Sequence, residues 1–171
     1  MEFKYFQFAS PFNQFPRAIT TSAVVDNYWD ESKSNNTGRS WQFFDESLID
    51  YHKLNGSTSG FRGKSDSPII PIDIDNISIT NLRNTLDKLH NLLGDLDHVH
   101  IYFSGKKGYH IEIPSCLFAI NPTENLPERM KRLVSKMEIG ADLSLYKSNQ
   151  LYRMENSLNV SGGYYKTEIP M

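Results

Sequence analysis

A single cysteine, Cys116, leaves the 171-residue chain with no partner for an intrachain disulfide and excludes a cysteine-rich zinc module. It is read as a small buried hydrophobe. No apolar run approaches the length needed to cross a membrane. The opening segment MEFKYFQFAS also lacks the basic stretch and apolar core of a signal peptide, so the expectation is a cytoplasmic protein with no membrane partner. A surplus of positive charge is missing too: 18 Lys and Arg stand against 20 Asp and Glu, for a net charge of -2. This balance argues against wholesale coating of nucleic acid and leaves room for a local basic channel. There is no internal repeat and no low-complexity segment. A phosphate-binding loop fails as well. In TSGFRGKS the Gly63-Lys64-Ser65 ending is right, but Thr58 stands where the first glycine is required, and the loop leads into a strand instead of a helix. With Arg62 and Lys64 it reads as a mobile basic loop beside the site.

What remains is ordinary for one globular domain: 39% hydrophobic and 22% charged residues. The first fifty residues hold Phe3, Tyr5, Phe6, Phe8, Phe12, Phe15, Tyr28, Trp29, Trp41, Phe43 and Phe44, too many aromatics for a disordered tail. Asp30 to Arg39 reads as a polar surface loop and Gln42 to Leu54 as a short helix. The run Pro68 to Asn76, PIIPIDIDN, predicts a strand. Leu82, Leu86, Leu89, Leu92, Leu93 and Leu96 recur at helical spacing over Ser78 to Leu96, with Gly94 near the end. His98 to Pro114 predicts a β-hairpin, with Val99, Ile101, Phe103, Ile111 and Ile113 on the core face and His100, Tyr102, Ser104, His110 and Glu112 on the polar one. Pro127 to Met137 predicts a basic amphipathic helix with Arg129, Lys131, Arg132 and Lys136 outside and Leu133, Val134 and Met137 inside. Ala141 to Tyr146, Gln150 to Asn156 and Tyr164 to Ile169 read as three short strands.

The chemistry begins with Asp73 and Asp75. On a strand they share one face, roughly 6.5 to 7 Å apart at Cα, while Ile70, Ile72 and Ile74 take the other. Two carboxylates so placed suit one divalent cation, or two held ~3.5 to 4 Å apart. Taken alone, the pair reads equally well as a strand end entering a turn. The turn Ser104-Gly105-Lys106-Lys107-Gly108-Tyr109-His110 adds two glycines that let backbone approach a bulky anion, and lysines that supply charge. Asp142 falls on the polar side of ADLSLY, with Arg153 and Lys166 downstream. Three acids, a phosphate-cradling turn and two cations suit a nucleoside triphosphate with its metal.

PIDID, SGKKGYHIEIP and a hydrophobic-flanked Asp142, in this order, resemble the three motifs of the archaeo-eukaryotic primase superfamily. The middle motif is similar to the Ser-Gly-x-Lys-Gly-x-His form in polymerase domains of bacterial end-joining ligases, and LYRMENSLNVSGGYYKTEIP resembles the closing segment of plasmid and phage primase-polymerases. The match spans Ser67 to Pro170. The resemblance implies an α/β (α+β) fold in one catalytic domain: an RRM-like sheet with helices on one face over residues 67–171, and an N-terminal α/β unit over residues 1–66. It implies that Asp73, Asp75 and Asp142 bind catalytic Mg²⁺ or Mn²⁺, that Ser104, Gly105, Lys106, Lys107, Gly108 and His110 hold the triphosphate, and that Arg153 and Lys166 contact the incoming nucleotide. The implied activity is a template-dependent nucleotidyltransferase, a DNA primase or primase-polymerase. The implied partners are NTPs or dNTPs, single-stranded or primed DNA, and a helicase or separate priming subunit. Two departures stand out. Relatives often carry histidine two residues after the serine of the closing motif, where Ser157 is followed by Leu158 and Asn159. The chain also has no room for the zinc insertion or added helical domain of relatives that start chains de novo.

Two other classes fit parts of the sequence. A zinc hydrolase would use His98, His100 and His110 but leaves the aspartates idle. A non-catalytic single-stranded nucleic-acid-binding module would stack bases on Tyr102 across an open sheet face, where aspartates would repel phosphate.

Overall fold

The alternation in PIIPIDID becomes a strand in which Ile70 and Ile72 are 0% exposed and Ile74 2%. The computed structural model describes residues 2–10, 15–25, 36–75, 78–147 and 150–170. It is a mixed α+β structure with antiparallel sheets. The strands are β1 (Phe6–Ser10), β2 (Phe15–Thr20), β3 (Gly38–Ser40), β4 (Phe43–Phe44), β5 (Ser65–Asp66), β6 (Ile69–Ile74), β7 (His100–Phe103), β8 (Tyr109–Pro114), β9 (Leu151–Arg153), β10 (Leu158–Asn159), β11 (Tyr164–Tyr165) and β12 (Thr167–Glu168). The helices are a single turn α1 (residues 22–25), then α2 (Ser47–Asn55), α3 (Ile79–Leu93) and α4 (Leu126–Met137).

One four-stranded sheet has the order β12-β7-β8-β6, and a second has the order β2-β1-β3-β9. Ile70, Ile72, Ile101, Ile111 and Ile113 of the first sheet share a core with Leu82 and Leu89 of α3 and Leu126, Met130 and Val134 of α4. Burial of each such side chain is worth about 1.5–3 kcal/mol, which makes this layer the main source of cohesion. The predicted 78–96 helix is α3, with Ser78 Oγ accepting from Asn81 N–H and Gly94, in positive φ, closing it. The second sheet buries Phe6 and Phe8. Trp41 and Phe44 are buried as well, so these four early aromatics belong to the fold. Phe12, Tyr28, Trp29, Asp30 to Asn35, Asn76 and the side chain of Phe15 lie outside the described residues. Strand β9 comes from the C-terminal part of the chain and closes the N-terminal sheet by pairing with β3.

Several expectations are corrected. Gln42 to Leu54 is not one helix: Phe43–Phe44 pairs with β5, and α2 starts only at Ser47, whose N–H is held by Asp45 Oδ1 at 2.9 Å. Ala141 to Tyr146 is not a strand. The Asp142 carboxylate accepts from Ser144 N–H and Oγ–H, which turns the backbone into a 3₁₀ helix at Leu143–Leu145. Leu145 and Tyr146 are both buried at the end of that turn. Tyr164 to Ile169 breaks at buried Lys166 into β11 and β12, which pair with different strands. Inner α4 positions include Leu126 and Met130, with Leu133 and Met137 only partly buried. Leu92 is 53% exposed, and Cys116, in the 3₁₀ turn after β8, is exposed instead of buried. Phe61 of the 56–64 loop packs edge-on against Phe44 and Tyr51, tying that loop to β4 and α2. Among the described residues no helix is long and apolar enough to cross a membrane.

The helix-covered layer yields a paired prediction. Ile111→Ala should lower the urea-unfolding free energy by about 2–5 kcal/mol, whereas Leu92→Ala should change it by less than about 0.5 kcal/mol. Equal losses for the two would contradict this account of the core.

Candidate metal and nucleotide site

Register decides what faces what. Strand β6 pairs with β8 so that Asp73 stands opposite His110, and β7 pairs with β8 so that Tyr102 also stands opposite His110. Because alternate side chains share a face, the isoleucines that fill the core force Asp73 onto the other side. Asp75 lies just past the strand end. Asp142 arrives from elsewhere: after α4 the chain turns through Glu138 and Gly140, both in positive φ, and runs along the free edge of β6. There Asp142 N–H donates to Asp73 O at 2.7 Å, and Tyr146 Oη–H donates to Pro71 O. The three acids meet. One carboxylate oxygen from each of Asp73, Asp75 and Asp142 lies within 4.8 Å of the others, and among the described residues they are the group that could hold a metal ion.

Of the three acids only Asp73 is substantially buried, and its charge is costly without a counter-ion. Loss of solvent, followed by the charges of Asp75 and Asp142, raises the Asp73 pKa to about 6 despite the opposing pull of Lys166 and Arg153. Hydrogen bonds from the Ser144 side chain and backbone lower that of Asp142. His110 Nε2 is 3.6 Å from Asp73 Oδ1, but burial, with Lys166 and Arg153 nearby, lowers its pKa to about 3 and keeps it neutral. Tyr152 of β9 stacks on the His110 ring with centroids 4.5 Å apart. Asp73 Oδ1, His110 Nδ1 and Tyr152 Oη are all buried with no hydrogen-bond partner. Buried polar atoms are nearly always paired, so the orphaned Asp73 Oδ1 leaves bonding capacity unmet at the acid cluster. No family model, curated protein or solved structure matches this chain.

The turn from Ser104 to Gly108 lies against the acids. Ser104 N–H donates to Gly108 O at 3.0 Å and Gly108 N–H donates to Ser104 Oγ at 3.2 Å, while Lys106 and Lys107 are exposed. The glycines serve a purpose other than the one expected. A Cβ on Gly108 would stand 2.6 Å from Ile74 O and 3.3 Å from Asp75 Cα, and one on Gly105, at φ 86°, would stand 2.5 Å from Tyr164 O. Both absent side chains let protein backbone approach; neither opens a cradle for an outside anion.

The downstream cations are also engaged. Arg153 Nη1 donates to Asn36 Oδ1 at 2.7 Å, and the guanidinium remains close enough to feel Asp73. Lys166, expected at the nucleotide, is 1% exposed. Its Nζ donates to Glu112 Oε1 at 2.8 Å and Arg153 O at 3.1 Å, and lies 4.3 Å from the ring centres of Tyr102 and Tyr152. Burial lowers its pKa, with Glu112 opposing. Over Tyr102 and His110 the polar face of the sheet is therefore covered, and Tyr102, 6% exposed, cannot serve as a stacking platform. Nor do the three histidines gather. His98 precedes β7, exposed His100 holds Glu168 at 2.6 Å, and His110 is buried under Tyr152. Sequence reading missed Tyr152, Tyr146, Glu112 and Ser144 as parts of the site. Only Ser144, two residues beyond Asp142, carried a local signal, as the partner of a capping turn.

Linkage gives this electrostatic picture a test on metal-free protein. Asp73, raised from 3.8 to about 6, favours the fold when protonated, so its contribution is present below pH 3.8 and is lost as pH rises to about 6. His110, lowered from 6.5 to about 3, contributes above pH 6.5 and loses that contribution as pH falls. The two oppose one another between these limits. Asp73→Asn removes the first alone, so the unfolding free energy of the variant minus that of wild type should grow by about 2–3 kcal/mol from pH 3.8 to 6, measured by urea unfolding in EDTA. A pH-independent difference would refute the assignment.

Proposed function

We propose that this chain is a metal-dependent, template-directed nucleotidyltransferase of the archaeo-eukaryotic primase type, a primase-polymerase core that extends or starts strands on DNA. The observation that carries the reading is the meeting of Asp73, Asp75 and Asp142 beside the 104–110 turn, with Asp73 Oδ1 and His110 Nδ1 buried and unpartnered. The order β6-α3-β7-β8-α4 followed by the Asp142 segment, with both helices on one sheet face, supports the RRM-like form of the fold.

The donor set fits a hard divalent cation. Three carboxylates with no sulfur and no gathered imidazoles suit Mg²⁺ or Mn²⁺ better than zinc. Such ions, when bound by Asp73, Asp75 and Asp142, supply charge neutralisation for the triphosphate and acidity for the attacking 3′-hydroxyl. The protein supplies position. Ser104 and the exposed Lys107 receive phosphate oxygens at the turn, and neutral His110, with Nε2 3.6 Å from Asp73 Oδ1, borders the acids from the sheet. Arg153 adds a positive charge facing Asp73, and Lys166 acts from behind by fixing Glu112 and the Arg153 carbonyl. In the reaction the 3′-oxygen bonds to the α-phosphorus, the bond to the departing pyrophosphate breaks, and the hydroxyl proton is released. NTPs or dNTPs and single-stranded or primed DNA are the substrates, with a helicase or priming subunit as partner.

Labelled NTP and dNTP should be incorporated on single-stranded or primed templates with Mg²⁺ or Mn²⁺, and Asp73→Ala should reduce the rate by at least about a hundredfold. Absence of metal-dependent incorporation on every template, or an undiminished rate in the variant, would overturn the proposal.

A further inference from the structure

The covered sheet face leaves open where a nucleic-acid strand would rest. Tyr164 and Tyr165 are 64% and 48% exposed, and Val160 beside them 42%. These residues belong to the β10–β11 hairpin, in which Leu158 pairs with Tyr165 and Asn159 with Tyr164. The hairpin is stiff at its tip: the N–H groups of Gly162 and Gly163 donate to Asn159 O at 3.0 and 2.7 Å. It is also locked onto the 104–108 turn. A Cβ on Gly162 would lie 2.1 Å from Gly105 O and 2.8 Å from Lys106 Cα, and one on Gly105 would lie 2.5 Å from Tyr164 O. Phe103 meets the Tyr164 ring edge-on at 6.1 Å, which fixes that ring while leaving it exposed. At its other end the turn presses Gly108 against Ile74 O and Asp75 Cα. Turn and hairpin thus form one ledge running from the tyrosines to the acids.

The charge of the ledge selects its occupant. In a chain with 20 acidic residues and a net charge of -2, residues 104–110 and 156–167 contain no Asp or Glu, and they carry Lys106, Lys107 and Lys166. Lys166 is buried, so the exposed charge belongs to Lys106 and Lys107, with the Lys106 backbone lying directly against the hairpin. Exposed aromatic rings on a hairpin packed against a lysine-bearing turn, with the exposed carboxylates Glu155 and Glu168 lying only at the outer ends of the hairpin segment, match the stacking and phosphate contacts of a single strand.

We propose that Tyr164, Tyr165 and Lys106 bind single-stranded nucleic acid, with a base stacked on Tyr164 and a backbone phosphate on Lys106, leading the strand toward Asp75. Only delivery to the acids rests on the nucleotidyltransferase reading; binding by the ledge does not.

The test is fluorescence anisotropy of a fluorescein-labelled oligothymidylate with the full chain in EDTA, alongside incorporation at saturating template with metal. Tyr164→Ala should weaken binding about tenfold with unchanged thermal melting, and Tyr164→Phe should stay within about twofold of wild type. Lys106→Ala should lower the slope of log affinity against log salt by about 0.7. Strand affinity unchanged in Tyr164→Ala, or no strand binding by the wild type, would overturn the ledge even where incorporation proceeds. A Tyr164→Ala defect confined to nucleotide affinity or to binding of a protein partner would overturn it too. Ledge-dependent binding without any incorporation would support the ledge and reject the enzymatic reading.

Discussion

Everything distinctive about this molecule follows from the β6–β8 register that sets Asp73 against His110. The pairing is held in place by apolar burial. Ile70 and Ile72 on β6 and Ile111 and Ile113 on β8 are all 0% exposed beneath α3 and α4, and a slip of one residue would exchange them for Asp73, His110 and Glu112. The hydrophobic layer therefore does more than hold the chain together. It sets the direction of a carboxylate that the fold, without a counter-ion, disfavours in its charged form.

The opposite face is closed by polar and aromatic contacts whose energetics differ. A buried ion pair such as Lys166–Glu112 gains little net stability over an apolar replacement, because removing both charges from water offsets much of their attraction. Its geometry is nonetheless demanding. Lys166 sits between the rings of Tyr102 and Tyr152, Tyr152 stacks on His110, and His110 faces Asp73. Each contact constrains the next, so the unpaired atoms of Asp73, His110 and Tyr152 are held in fixed positions instead of relaxing toward partners. Groups left unsatisfied in this way reduce stability and are characteristic of functional sites. Gly105, Gly108 and Gly162 act similarly on the backbone: each allows an approach that a Cβ would block, and together they join the turn, the hairpin and the strand end.

Local physics made much of this legible in the chain. The period-two run at Ile69–Ile74, the helical leucines of α3 and the hairpin of β7 and β8 could all be anticipated, because periodicity records which face meets the core, whereas the grouping of Asp142 with Asp73 and Asp75 was expected from the motif resemblance. The errors have specific causes. ADLSLY alternates like a strand, yet the hydrogen bonds from Ser144 to the Asp142 carboxylate curl it into a turn. The glycines of SGKKG look like an anion cradle, yet their missing side chains face Ile74 and Tyr164.

By itself the sequence determined the core-facing isoleucines, the leucine-lined helix α3 and the shared face of the β7–β8 hairpin, since each depends on neighbours within a few residues. Only the tertiary structure decided that the sheet face is covered over Tyr102 and His110, that Lys166 is paired with Glu112, that Tyr152 covers His110, and that the hairpin carrying exposed Tyr164 packs against the 104–108 turn. Glu112 and Lys166 are 54 residues apart along the chain. No local pattern encodes which distant side chain fills the space above a strand, because that outcome depends on the packing of β9 and the closing hairpin over the sheet.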